Sequence, residues 1–437
     1  MIRRPPVWYI SVAILVSLGI APAQTGHDYI PDDATFLPTD HPAIRYSEAP
    51  LNDPVTRLNM KLANGSAKLE YDPDGLGYLP SLLKLLGVNP DSQMLVFSKT
   101  SFQAPKISPR NPRALYFSDD VQIGYVRGGE VFEIVGLDPK QGDVFYTLDM
   151  AKSDKPSFDR RDGCFQCHLG PVTQGVPGIM VATVHADPSG APAFQLGEPV
   201  VDHRTPFEER WGGWYVSGTH GNQKHQGNAV FHDPGDPEHL DTEGTQNLTS
   251  LAGRFDPRGY LSTVSDIVAL MTLEHQTRMT NLLIRVGWET RIAQHDGKMD
   301  DPETRARIDA DIESTITYML FADEAPLHEP VQGVSTFTKT FPQRGPRDHQ
   351  GRSLRDFDLQ KRLFRYPLSY MLYSAAFDGL PEIARDRIYK RLYEVLNGND
   401  QDKKFAALTR ADRQAILEIV RDTKTNLPAF WRKATPE

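Results

Sequence analysis

The sequence predicts an α+β fold: an antiparallel β meander, then a cysteine-bearing segment, then a largely α-helical C-terminal half. Three observations carry that expectation. Between Gln93 and Met150, short runs rich in β-branched and aromatic residues alternate with Gly, Pro, Asp and Asn. After Leu261 the apolar residues recur at three- and four-residue steps instead. Between the two regions lie the only two cysteines, in RRDGCFQCHLG from Arg160 to Gly170. At 437 residues, 39% hydrophobic and 24% charged, the chain can bury a large core. Its formal charge of −9 argues against nucleic acid as a partner, which would require a basic face.

Taken in order, the first 23 residues read as a signal peptide. Arg3 and Arg4 precede an apolar run from Val7 to Ile20, and Ala21-Pro22-Ala23 is a small-residue cleavage site. Cleavage after Ala23 and an exported, periplasmic protein are expected. The apolar run is short of the roughly 20 residues a membrane span requires, so no stable span remains after cleavage.

Residues 24–155 form a β-rich N-terminal region. Gln24–Asn64 is Pro- and Asp-rich without periodicity, and is expected to wrap the surface. YLPSLLKLLGV (Tyr78–Val88) reads as a short helix stopped by Gly87. QMLVFSKTSF, RALYFSD, VQIGYV, EVFEIVGLD and DVFYTLD read as strands, with a hairpin turn at Gly128-Gly129.

Residues 156–260 carry the cysteines and a Gly-rich histidine loop. GIMVATVHAD and APAFQLG read as two strands joined by an Asp-Pro-Ser-Gly turn. RWGGWYVSGTHGNQKHQGN (Arg210–Asn228) begins as a strand and ends as the Gly-rich loop.

Residues 261–437 form the helical region. A long amphipathic helix over 262–292 is capped by Ser262 or Ser265, with Asp266 suited to the positive helix end. Val268, Met271, His275, Met279, Leu282 and Val286 share one face. Further helices are expected at 302–321, 356–374, 381–396 and 410–423, the last with a capping box at Thr409 and Asp412.

Cys164-x-x-Cys167-His168 has the spacing of covalent haem attachment. Two thiols, Cys164 and Cys167, reach the two vinyl groups, and His168 supplies the proximal iron ligand. A zinc site would want a second ligand pair, and no other cysteine exists, which leaves only other histidines to complete one. A thioredoxin-like dithiol would open a helix after a strand, whereas Gly170-Pro171 follows the motif here. Export is compatible with covalent haem. The implied cofactor is one haem c with its iron.

The opposite side of such an iron decides between carriage and catalysis, because a second strong ligand makes a carrier and an open position admits small molecules. Met180 in VPGIM is the weaker candidate, and reads first as core filler in a strand-like run beside Ile179 and Val181. His220 and His225 lie in the Gly-rich loop behind Trp211 and Trp214. His275 sits on the apolar face of the long helix between Met271 and Met279. His185 and His203 read as exposed loop histidines. Arg110, Arg113, Arg160 and Arg161 are the basic residues nearest in sequence for haem propionates. Asn64-Gly-Ser and Asn247-Leu-Thr match the glycan acceptor pattern by chance.

LVFSKTSFQ, ISPRNPRALYFSDDVQIGYVRGG, GCFQCH, ERWGGWYVSGTHGNQKHQGN and SLRDFDLQKRLFRYPLSYMLYSAAFD together resemble a family of exported bacterial proteins known as cytochrome-c-domain-containing. The resemblance covers most of the chain after the signal peptide. It implies a single haem c held by Cys164, Cys167 and His168, and implies no defined reaction or partner. It favours the histidines of the loop and helix over Met180. The chain departs from a minimal all-α cytochrome c, because a meander rather than a helix leads into the motif.

The function expected is a periplasmic monohaem c-type cytochrome in electron transfer, its acidic surface suited to a basic redox partner. One alternative is a haem peroxidase or other small-molecule haem oxidoreductase, with His220, His225 or His275 as distal acid–base group. A second is a non-haem dithiol protein in which Cys164 and Cys167 form a reversible disulfide and His168 lowers a thiol pKa.

Overall fold

The computed structural model describes residues 36–400 and 402–432; the signal-peptide reading lies outside them. The fold is α+β, as the sequence predicts. Strands β1 (Met94–Val96), β2 (Arg113–Phe117), β3 (Val121–Tyr125), β4 (Val131–Asp138) and β5 (Gly142–Asp149) pair in sequence order as the expected antiparallel meander. β6 (Phe158–Arg160) extends it beyond β5. β7 (Val181–Ala182) and β8 (Val200–Val201) form a separate ribbon. β9 (Trp214–Tyr215) pairs with β1, so the large sheet runs β6-β5-β4-β3-β2-β1-β9. The hairpin between β3 and β4 turns at Gly128, whose φ of 72° is one that glycine adopts without strain.

The sheet has two unlike faces. On one, Ala114, Tyr116, Ile123, Tyr125, Phe132, Ile134, Tyr146 and Leu148 are all buried. Helix α1 (Pro54–Ala63) lies against this face, with Val55 packed at Gly136 and Asp53 accepting from the Tyr146 hydroxyl at 2.7 Å. The other face presents Leu115, Gln122, Val131, Glu133 and Val135, all half-buried, beside buried Phe145 and Thr147. α1 itself corrects the sequence reading, which left 24–64 without periodic structure. Its signal is the Asp53-Pro54 pair: Asp53 caps Val55 and Thr56, and proline is suited to the first helical position. α2 (Leu79–Leu86) ends at Gly87 as expected. APAFQLG is not a strand: a 3-10 turn spans Phe194–Leu196, and only a single bridge, Ala186 to Pro192, closes the Asp-Pro-Ser-Gly turn.

α3 (Phe165–His168) is one turn within the cysteine motif. α4 (Ile267–His295) has 29 residues and is about 43 Å long. It is capped by Asp266 rather than by either serine; Ser265 instead bridges β1 and β9, accepting from Leu95 N and donating to Tyr215 O. Nor is α4 amphipathic. Every residue from Ile267 to Thr290 is buried, and its charges are paired: Glu274 with Arg210 at 3.0 Å, Arg285 with Asp311 at 2.9 Å, Arg278 with Asp202 at 3.4 Å.

α5 (Pro302–Met319) packs on α4, and α6 (Phe337–Thr340) is a single turn. The helix expected over 356–374 is absent. That stretch is irregular, with a bridge from Phe357 to Phe364, Leu359 at a φ of 56°, and a 3-10 turn at Tyr370–Tyr373 before the short α7 (Ala375–Asp378). Pro367 interrupts it, and its apolar residues are too closely spaced for one helical face. α8 (Glu382–Leu396) and α9 (Arg410–Thr423) form as expected, α9 with its Thr409–Asp412 capping box. One continuous core joins residues 36–155, 156–260 and 261–432. No helix among the described residues is long and apolar enough to cross a membrane.

Candidate functional site

β6 is the edge strand of the sheet and delivers the chain to the cysteines. A 3-10 turn, Asp162–Cys164, runs directly into α3, and Cys164 itself has helical dihedrals (φ −64°, ψ −18°). Cys164, Cys167 and His168 therefore stand at i, i+3 and i+4 of one helical turn, on one face. Both thiols are free; Cys164 is half-buried and Cys167 exposed. Phe165 points the other way and anchors the turn. Its ring packs on Tyr46 at 5.1 Å and Phe145 at 6.2 Å, and Tyr46 rests in turn on Trp288 of α4.

His168 is clasped by the segment that follows. Its ring lies on Phe145, centroids 5.1 Å apart. The Nδ1 atom is 3.0 Å from the Gly178 carbonyl, while Gly178 N donates to the His168 carbonyl at 2.9 Å. A carbonyl only accepts, so Nδ1 carries the proton and Nε2 keeps its lone pair. Burial lowers the pKa of the imidazole, against the opposing effect of the Gly178 bond, and keeps it neutral near pH 7. A neutral imidazole whose tautomer is fixed by a backbone acceptor is the arrangement found for metal-ligating histidine. With two thiols on the same face, these residues fit a covalently attached haem.

The surrounding charges are few. Burial, and then Glu133, push the Cys164 thiol up, the reverse of what activates a reactive dithiol. Glu133 is held by Arg113 at 2.8 Å and by Gln103 at 2.9 Å. Of the four arginines singled out in the sequence, Arg113 acts on His168 and Arg161 on Cys164. Arg110 instead donates to the Gly253 carbonyl, and Arg160 is spread over Tyr46 and donates to its carbonyl. Among the described residues, one three-ligand cluster could hold a metal: His41, His295 and Asp296 at the end of α4, which includes neither cysteine. There, Ala43 N donates to His41 Nδ1, so His41 Nε2 carries a proton that points to Asp296 at 3.2 Å, and hydrogen bonds account for the group.

The distal candidates are dispersed. His220 is fully buried; its Nδ1 donates to Gln223 O at 2.8 Å and its Nε2 accepts from Asn247 N at 3.1 Å. His225 packs against Trp211 and His220. Its Nδ1 accepts from Gly227 N at 3.0 Å, which places its proton on Nε2, and burial lowers its pKa to about 3. His275 pairs with His203 through Nδ1 at 2.8 Å and with Ser369 Oγ through Nε2 at 2.7 Å, between the rings of Tyr318 and Phe321. His203 is therefore not an exposed loop residue but part of this buried pair, and His185 is held by Pro237 O and Gln226. The loop bearing His220 and His225 follows β9, at the opposite edge of the sheet from β6. Met180 alone lies on the segment that clasps His168, two residues past Gly178, and is half-buried.

Sequence reasoning missed Phe145, Gly178, Asp143 and Asn281. Phe145 and Asp143 are on the same face of β5. Asn281, from α4, donates to the Ile179 carbonyl at 2.9 Å, and leaves room for no side chain at Gly178: a Cβ there would come within 2.8 Å of the Asn281 carboxamide carbon. The one available signal was Asp143 itself, a carboxylate at the start of the strand run GDVFYTLD. Compared with known protein families, curated proteins and solved structures, the chain matches none.

Proposed function

We propose that the protein is an exported, periplasmic monohaem c-type cytochrome that carries electrons. The observation that supports this reading above others is the state of His168: neutral, with Nδ1–H given to Gly178 O and Nε2 left with its lone pair free, beside two thiols on the same helical face. Cys164 and Cys167 would hold haem c covalently, and His168 would ligate its iron. Bound there, haem c supplies one-electron chemistry. Phe145 fixes the plane of the imidazole, and Gly178 fixes its tautomer. Arg113 and Arg161 provide positive charge near the motif for the propionates.

Carriage would require Met180, the one distal candidate on the segment beside His168, as second iron ligand, and His220, His225 and His275 are engaged in hydrogen bonds or rings elsewhere rather than as distal acid–base groups. The acidic chain suits a basic redox-partner protein, docking in a salt-sensitive manner. The test is covalent-haem staining on a denaturing gel after co-expression with haem-maturation machinery. Wild type should stain, and the Cys164→Ser/Cys167→Ser double variant should not. An unstained wild type beside a stained control cytochrome would refute the reading.

A further inference from the structure

α1 borders a cleft that lies away from the cysteines. Val55 packs at Gly136, whose strand partner is Val121 at the start of β3, so α1 lies beside the β2–β3 turn. α2 closes the third side. The cleft has a volume of about 370 Å³, within the range of small-molecule sites. His168 rests on Phe145, on the other face of the sheet, so this cleft is independent of the haem reading.

Its walls are of two kinds. Leu58 from α1, Leu85 and Leu86 from α2 and Val121 from β3 are apolar, and Leu85 is 38% exposed. The charged wall is made by Arg57 and Lys61, one turn apart on α1, and by Asp120 in the β2–β3 turn. Among the described residues, no ion pair engages any of the three. Arg57 gives only Nη1 to the protein, to the backbone and side-chain oxygens of Asn52. Asp120 has one carboxyl oxygen, Oδ1, buried without a hydrogen-bond partner, while Asp119 beside it is taken by Arg355 at 3.1 Å. Elsewhere the protein matches its buried charges, as in the Glu274–Arg210 and Arg285–Asp311 pairs.

The backbone under Asp120 is fixed in advance. Ser118 N donates to Val121 O at 2.8 Å, and Leu137 N donates to Asp120 O at 2.8 Å. Gln276 of α4 donates to Ser118 O, also at 2.8 Å. A buried carboxyl oxygen without a donor is unfavourable, and a charged N–H group placed there removes that cost. α2 ends at the cleft with Gly87, and the negative end of a helix favours a cation there as well.

We propose that this cleft binds a small apolar amino acid as its zwitterion. The ammonium group donates to Asp120, the carboxylate accepts from Arg57 and Lys61, and the hydrocarbon side chain lies on Leu58, Leu85 and Leu86. A plain fatty carboxylate would leave Asp120 without a donor. A plain amine would leave both cations unmatched. A ligand with both charges and an apolar part satisfies both kinds of wall.

Isothermal titration calorimetry of the purified protein with L-leucine tests this. The controls are isocaproate, which is leucine without its amino group, and isoamylamine, which is leucine without its carboxylate. L-Leucine should bind with a Kd below about 1 mM. Both controls should bind wild type about ten-fold or more weakly, the factor expected for one lost charge-assisted hydrogen bond. Asp120→Asn and Arg57→Gln should weaken L-leucine by the same factor. Lys61 is exposed on α1, so Lys61→Gln keeps the fold and should weaken L-leucine likewise, even where Asp120→Asn does not yield folded protein. The absence of saturable L-leucine binding overturns the proposal. So does isocaproate or isoamylamine binding as tightly as L-leucine, or an unchanged affinity in the variants.

Discussion

Gly178→Ala tests whether the clasp on His168 is held by a close fit against α4. Gly178 does not have a positive φ, so alanine is compatible with its backbone, and the whole penalty must come from contact. An added Cβ would lie 2.8 Å from the Asn281 carboxamide carbon and 3.2 Å from its nitrogen. Overpacking of this kind costs about 1–3 kcal/mol. Asn281→Ala removes the obstacle but also the 2.9 Å bond to the Ile179 carbonyl, a loss of about 1 kcal/mol. In the double variant the new methyl group has room, so Gly178→Ala should cost less than about 0.5 kcal/mol there. The coupling energy should then be about 1–3 kcal/mol, well above the 0.3–0.5 kcal/mol scatter of independent sites. Urea unfolding of the four proteins measures it. Additive effects would mean that Asn281 and Gly178 do not meet as described, and the argument for a rigid peptide beside His168 would fall with them.

Other consequences are open to the same kind of measurement. Phe145→Ala removes the ring beneath both His168 and Phe165, and should cost about 3–5 kcal/mol by urea unfolding. Asp266→Ala strips the acceptor from Val268 and Ala269 at the start of α4 and from Val334 and Ser335. It should cost about 4 kcal/mol, whereas Asn at 266 should retain part of that. Asp143 is raised on folding, so the folded state binds its proton where the unfolded chain has released it. Stability should therefore fall as pH rises from about 4 to about 7; Asp143→Asn should flatten that fall in a pH series of urea midpoints, and an equal slope in both proteins would contradict it.

The meander was legible because each of its strands is short, rich in β-branched and aromatic residues, and closed by a turn residue. α9 was legible because Thr409 and Asp412 make a local cap. α4 was misread for a physical reason. Periodicity registers which residues are apolar, and Glu274, Arg278 and Arg285 made one side look wet. Their burial depends on Arg210, Asp202 and Asp311, which no local window relates to them. The cysteine motif is local, its thiols and imidazole being neighbours in the chain, so its one-turn geometry needed no distant residue. Its support is not local: Gly178 is ten residues on, Phe145 is on β5, and Asn281 is in α4. The Gly-rich loop drew attention because His220 and His225 are close together, yet their closeness serves hydrogen bonds to Gln223, Asn247 and Gly227.

The turn from Asp162 to His168 is made of contacts a few residues apart, whereas the clasp on Ile179 depends on Asn281, 102 residues later. A chain emerging from its N-terminus thus presents both thiols long before the helix that steadies His168 exists. The peptide whose Gly178 carbonyl accepts the imidazole proton is steadied by α4 only when the C-terminal half closes over it. The site is assembled in two stages separated by the time needed to make the rest of the protein.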